Sequence, residues 1–273
     1  MSEFNTVPAL RLNVMGFCGA DDSVNPEHLQ VLSIHYSWIE WGILFRPDKE
    51  GEPRYASSEW VSKLCKINKD TGGMMRLAGH LCSSRCQEVL EGDSTFIKSL
   101  SNLGFGRVQI NATAANNVNV DKNKISYYVS NLKQCMNDVS ELQFIIQCNE
   151  ETKSIWSELI KDPPSNMSIL YDASCGLGVL ATSYQEPLTN PSIYCGYAGG
   201  IGPENVEEVL NKVATATKGK ATWIDMESSI RVKISDKYVK DKDVFSLEKC
   251  FSCVIIGVNS FGLPVSRFTL LSV

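Results

Sequence analysis

Short apolar runs alternate with stretches whose apolar residues recur at helical spacing, and the alternation continues from one end of the chain to the other. The runs fall at Leu10 to Met15, Ile39 to Phe45, Met75 to Leu81, Arg107 to Asn111, Leu142 to Gln147, Ser168 to Asp172, Ile193 to Ala198 and Ala221 to Met226. Their spacing predicts a strand at each. Helices are predicted between and after them at Pro26 to Tyr36, Ser58 to Ile67, Ser84 to Leu90 with Thr95 to Leu103, Ser126 to Val139, Thr152 to Ile160, Pro203 to Thr215 and Leu247 to Val258. The sixth connection, Ala181 to Pro191, carries Pro187 and Pro191 and predicts a short or irregular helix. Regular strand–helix alternation implies right-handed crossovers and a parallel sheet. Eight strands then imply closure into one (β/α)8 barrel spanning residues 1–273, since no Pro- or Gly-rich linker divides the chain. The competing open, doubly wound sheet wants G-x-G-x-x-G after its first strand, and GFCGADD has the wrong spacing.

Composition narrows the class of partner. Hydrophobic residues make up 43% of the chain and charged residues 21%, an ordinary globular balance. The net charge of −5 argues against nucleic acid or an anionic membrane surface as partner. No run reaches the length of a transmembrane helix. The start, MSEFNTVPALRLNV, lacks the basic head and apolar run of a signal peptide, so a cytoplasmic protein with its 10 cysteines reduced is expected. Cys82 and Cys86, and Cys250 and Cys253, are spaced like metal ligands, but neither pair has a nearby histidine; packed thiols and no metal are expected. Asn111-Ala112-Thr113 and Asn166-Met167-Ser168 match the glycosylation pattern only by chance. Lys233 to Lys242 is charge-dense and reads as a solvated loop.

Candidate chemistry gathers at strand ends, where a parallel barrel keeps its functional groups. In Ile193 to Val209 a strand feeds Gly199-Gly200 and a helix begun by Pro203, with Glu204, Glu207 and Glu208 in its first turns. Free N–H groups of such a turn suit a phosphate, and the next strand end, with Asp225, Glu227, Ser228 and Ser229, suits the same group. A plain tight turn is the alternative. The other strand ends offer Cys18, Arg46 and Arg54, His80, Gln109 and Asn111, Gln147 and Asp172. Cys18 and Asp172 can carry protons; a packed thiol and a turn cap are their structural alternatives. His80 is a base or a satisfied mouth residue.

Taken in order, FCGADDS, GEPRYASSEWV, RVQIN, LYDASCGLG, YAGGIGPENV and WIDMESSI make the chain resemble the phosphoribosylanthranilate isomerases over nearly its whole length. That resemblance implies a cofactor-free Amadori rearrangement of a phosphorylated aminoaldose to a ketose by a monomer or homodimer. It gives Cys18 as general base and Asp172 as general acid. It puts Arg54, Gln109, Asn111 and Asp225 around the substrate, and Gly199, Gly200, Ser228 and Ser229 around its phosphate. The chain departs from the family pattern at Gly16, where a lysine is usual, at Asn111 in place of a histidine, and at Met226-Glu227-Ser228-Ser229 in place of valine, two serines and glycine. A different barrel enzyme on another sugar phosphate, or a non-catalytic phosphate-ligand binder, are the other readings.

Overall fold

Each of the first eight strands pairs in parallel with its sequence neighbour, and β1 (Arg11–Cys18) also pairs with β8 (Ala221–Met226), so the sheet closes on itself. The computed structural model describes residues 9–172, 174–235 and 242–266. Between β1 and β8 stand β2 (Ile39–Phe45), β3 (Arg76–Leu81), β4 (Arg107–Ile110), β5 (Gln143–Cys148), β6 (Met167–Tyr171) and β7 (Tyr194–Tyr197). The helices are α1 (Pro26–His35), α2 (Ser58–Asp70), α3 (Ser84–Leu90), α4 (Thr95–Asn102), α5 (Ile125–Asp138), α6 (Lys153–Leu159), α7 (Val206–Thr217) and α8 (Leu247–Phe261). The expected (β/α)8 barrel is the observed architecture.

Strand residues sort by parity between two cores. Met15 and Phe17 of β1, Trp41 and Ile43 of β2, and Ile224 and Met226 of β8 belong to the large layer packed under the helices. Their neighbours in sequence face the barrel axis: Val14 packs with Ile145, Leu170, Ala198 and Trp223, and Cys18 with Leu44 and Cys82. The axial core is small because polar residues take much of the space. Glu40, His80, Arg107, Gln109, Gln147, Asp172 and Asp225 are all buried. Low in the barrel, Arg107 pairs with Glu40 at 2.8 Å and lies over the Trp223 ring, 4.0 Å from its centroid. Gly196 makes room for that ring, since a methyl there would stand 2.1 Å from Trp223.

Three local expectations are corrected. Between β6 and β7 the described residues form turns and extended chain with no helix. Pro187 and Pro191 cannot donate to a helical ladder, and two buried tyrosines hold the segment instead: the Tyr197 hydroxyl donates to the Gln185 carbonyl at 2.7 Å and that of Tyr171 to Glu186 at 3.3 Å. After β8, the charged segment opens and closes as a hairpin of β9 (Arg231–Ile234) and β10 (Lys242–Phe245), with residues 236–241 outside the described ones. Finally, α7 starts at Val206 and not at Pro203, because Asn205 turns the chain: its Oδ1 accepts from the Gly202 N–H at 2.9 Å and its amide donates to the Gly200 carbonyl.

Candidate active site at the barrel mouth

A cavity of about 140 Å³ opens where the carboxyl ends of the strands converge. Its lining includes Arg54, Gln109, Asn111, Asp172, Gly199, Gly200, Asp225, Ser228 and Ser229, so nine of the ten residues singled out from the sequence meet at one place. Cys18, the tenth, lies behind the lining, fully buried, beside Asp225.

Asp225 ends β8 on the axial side. Its carboxylate lies directly over β1, and a methyl at Gly16 would stand 2.4 Å from its Oδ1. The side chain is 8% exposed, opens to the cavity and has no hydrogen-bond partner among the described residues. Burial pushes this carboxyl well above its usual range, and the nearby carboxylates of Glu40 and Glu227 push the same way. Beside it, Cys18 Sγ lies 3.0 Å from His80 Nδ1. Gly42 leaves the space for this contact, since a methyl there would be 3.0 Å from both Cys18 and the His80 ring. Burial raises the thiol and holds the imidazole down at about 3, so the pair is a neutral thiol against a neutral ring at neutral pH. The ligand atoms of Cys18, His80 and Asp225 all lie within 4.8 Å of one another. These are donors of the kind a divalent ion uses.

Asp172, at the end of β6, spends its carboxylate on its own loop. Oδ1 accepts from the Ser174 N–H at 3.1 Å and hydroxyl at 2.6 Å, and Oδ2 from the Gly176 N–H at 2.9 Å. The loop so pinned runs over the glycine turn. A methyl at Gly200 would stand 2.5 Å from the Leu180 nitrogen, and one at Gly199 would stand 3.0 Å from the Val179 carbonyl. The φ angles of +101° and +63° at these glycines are ones that side chains rarely adopt, so the close approach and the conformation both need glycine. The loop's backbone thus packs against the glycine turn, which still lines the cavity.

Ser228 and Ser229 form a short 3-10 turn, and Glu227 before them reaches into the mouth. Arg54 holds it there: its Nη1 donates to Glu227 at 2.9 Å and its Nε reaches Asp243 at 3.4 Å. Arg54 sits at φ +79°, and its backbone N–H donates to Asp21 Oδ2 at 2.6 Å. Arg231, nearly sealed, completes the network through Asp21 at 2.7 Å, Asp243 at 2.9 Å and the Gly19 carbonyl. Asn111 serves as a link in a polar chain, accepting from the Gln109 amide at 2.7 Å and donating to Cys82 Sγ at 3.4 Å. Gln109 Oε1 and Gln147 Oε1 are buried without a partner among the described residues.

The sequence marks His80 and Gln147 only as strand-end residues and Glu227 only as one of the polar residues after the eighth strand. Their signal is parity: 80, 147, 225 and 227 fall on the axial side, in step with the apolar residues that face the barrel axis. Asp21, Arg231 and Asp243 carried none, because their partners come from loops distant in sequence.

No family model matches the chain, and no curated protein sequence matches it. Among solved structures it is similar to a 3-hexulose-6-phosphate synthase of Salmonella typhimurium, at 11% identity and a TM-score of 0.43, over 80% of this chain and 90% of the other. It is similar also to a mutant tryptophan synthase α-subunit of Pyrococcus furiosus, at 12% identity and a TM-score of 0.44, over 82% and 90% of the two chains. A third is a glycerophosphodiester phosphodiesterase of Parabacteroides distasonis, at 8% identity and a TM-score of 0.43, over 80% and 94%. Likeness at this level says nothing about substrate.

Proposed function

We propose that the protein is an aldose–ketose isomerase of small hydroxylated substrates, working by proton transfer at the barrel mouth with Asp225 as the group that moves the proton. One observation carries this reading: a carboxyl that is nine-tenths buried, open to the cavity and without a hydrogen-bond partner among the described residues. An aldose becomes its ketose when one proton moves from carbon 2 to carbon 1 and a second from the oxygen on carbon 2 to that on carbon 1, through an enediol. A single carboxyl can take that proton from carbon 2 and return it to carbon 1. A carboxyl raised by burial is a better base when ionised and a usable acid when protonated. Gln109 and Gln147, at the cavity, supply amide groups for substrate hydroxyls. The sequence resemblance supports the reaction class, and an N-aryl aminoaldose, with and without a 5-phosphate, is its natural first substrate to try.

A second reading gives the base's role to Cys18 and the acid's to Asp172, and the 3.0 Å contact of Cys18 with His80 favours it by offering the thiol proton an acceptor. Purified protein should be given a panel of aldoses and aminoaldoses, with and without phosphate, in deuterated water, and the ketose and its deuterium followed. Asp225→Asn is expected to lose ~10²–10⁴ in kcat, the usual worth of a positioned acid–base group. If Asp225→Asn keeps its rate while Cys18→Ser or Asp172→Asn loses it, the second reading replaces the first. No ketose from any member of the panel sinks both.

A further inference from the structure

We propose that the mouth takes a cationic, hydroxyl-bearing small molecule without a phosphate group, its ammonium seated on Asp225. The inference rests on the mouth being the working site, and concerns which substrates enter it.

Charge is the first argument. The cavity lining carries the carboxylates of Asp172, Asp225 and Glu227 against one cation among the described residues, Arg54. That guanidinium is already shared between Glu227 at 2.9 Å and Asp243 at 3.4 Å. A phosphate would meet an excess of acidic side chains with no free positive side chain to hold it, whereas an ammonium can displace the proton that burial leaves on Asp225. Donor and acceptor counts are the second. Asp225 is nine-tenths buried and unpartnered, and two further acceptors, Gln109 Oε1 and Gln147 Oε1, are buried at the cavity with no donor among the described residues. Groups left in this state call for a ligand that donates hydrogen bonds. An ammonium with hydroxyls does so, and a phosphate only accepts.

The third argument is steric. The β6–β7 loop packs against the glycine turn and narrows the approach to its backbone. Gly178, Val179 and Leu180 leave no room for a side chain at Gly199 and Gly200, and the Gly202 N–H is taken by Asn205. Ser228 is no freer, since its hydroxyl lies 3.4 Å from Arg54 Nη1 and close under Gly178.

The test is calorimetric titration of the full chain with glucosamine, glucose, glucose 6-phosphate, inorganic phosphate and zinc chloride in turn. Glucosamine is expected to bind at least about tenfold tighter than glucose, a difference of about 1.4 kcal/mol. Glucose 6-phosphate should bind no tighter than glucose, and inorganic phosphate should give no heat. Asp225→Asn should bring the ratio of glucosamine to glucose to about one. Because Asp225 is buried, Glu227→Gln provides a second variant on a half-exposed side chain, and it too should narrow the ratio. Tighter binding of glucose 6-phosphate or phosphate overturns the proposal, as does equal binding of glucosamine and glucose. Zinc binding that Cys18→Ser abolishes, with no glucosamine preference, assigns the carboxylates to a metal ion and overturns it as well. Binding is read without turnover, so an inactive protein that prefers glucosamine defeats the isomerase reading and leaves this one standing.

Discussion

At the scale of single residues, the mouth depends on positions where a side chain is missing. Gly16 is where the Asp225 carboxylate lies, and the side chain missing there is the space the acid occupies. Gly16→Ala should push that carboxylate aside, because the added methyl would stand 2.4 Å from Oδ1 and 3.2 Å from the Ile224 carbonyl. The expected result is a fall in kcat of ~10²-fold, the effect of misplacing a catalytic group by about 1 Å. The unfolding midpoint should move far less, since the carboxylate can swing into the cavity. If the rate survives, Asp225 is not the working group. Cys18, Asp172 and Asp225 were legible in the sequence because strand ends in a barrel can be read off a pattern of runs. What the pattern could not supply was each group's partner. The contact that fixes Cys18 comes from β3, at position 80, and the groups that occupy Asp172 come from its own loop.

At the scale of elements, the strands were the legible part, since an apolar run covered on both faces looks alike wherever it falls. The two connections that shape the mouth were not. The β6–β7 segment has no helical ladder and is held by side chains of other elements, which no local pattern reports. The β9–β10 hairpin is short, charged and stabilised by Arg231 reaching back to Gly19 and Asp21. Tyr197→Phe tests the first of these. It removes the hydroxyl that donates to Gln185 at 2.7 Å while leaving the ring stacked on Tyr171. A loss of about 0.5–1.5 kcal/mol is expected, as for one neutral hydrogen bond. Since the bond ties down a loop whose Leu177 and Val179 are exposed, cleavage by a protease of broad apolar preference should quicken there before the barrel itself is cut. Unchanged cleavage would mean that the Asp172 contacts alone secure the segment.

At the scale of the whole molecule, the barrel keeps titratable groups where most proteins keep hydrocarbon, and its stability should therefore carry two pH limbs. His80 is buried neutral, with its folded pKa held at about 3 against about 6.5 for the free side chain. Its contribution is complete above the unfolded value and is lost as pH falls through that window. Asp225 works in the other direction. Its folded pKa is raised by burial, so the native state holds a proton that the unfolded chain has released, and its contribution, complete below about 3.9, is lost as pH rises toward the folded value. A residue kept at such a cost to stability, when an uncharged isostere would fill the same volume, is a signature of function placed above robustness. Asp225→Asn is accordingly expected to be the more stable and the less active protein. Its melting temperature should match the parent's near pH 4 and exceed it by a margin that widens toward neutral pH, while the acid limb set by His80 stays unchanged. Melting curves of both proteins taken across pH 3 to 9 read this directly. Parallel curves would show that the carboxyl is ionised and satisfied in the folded state, and would remove the reason to place the proton transfer there.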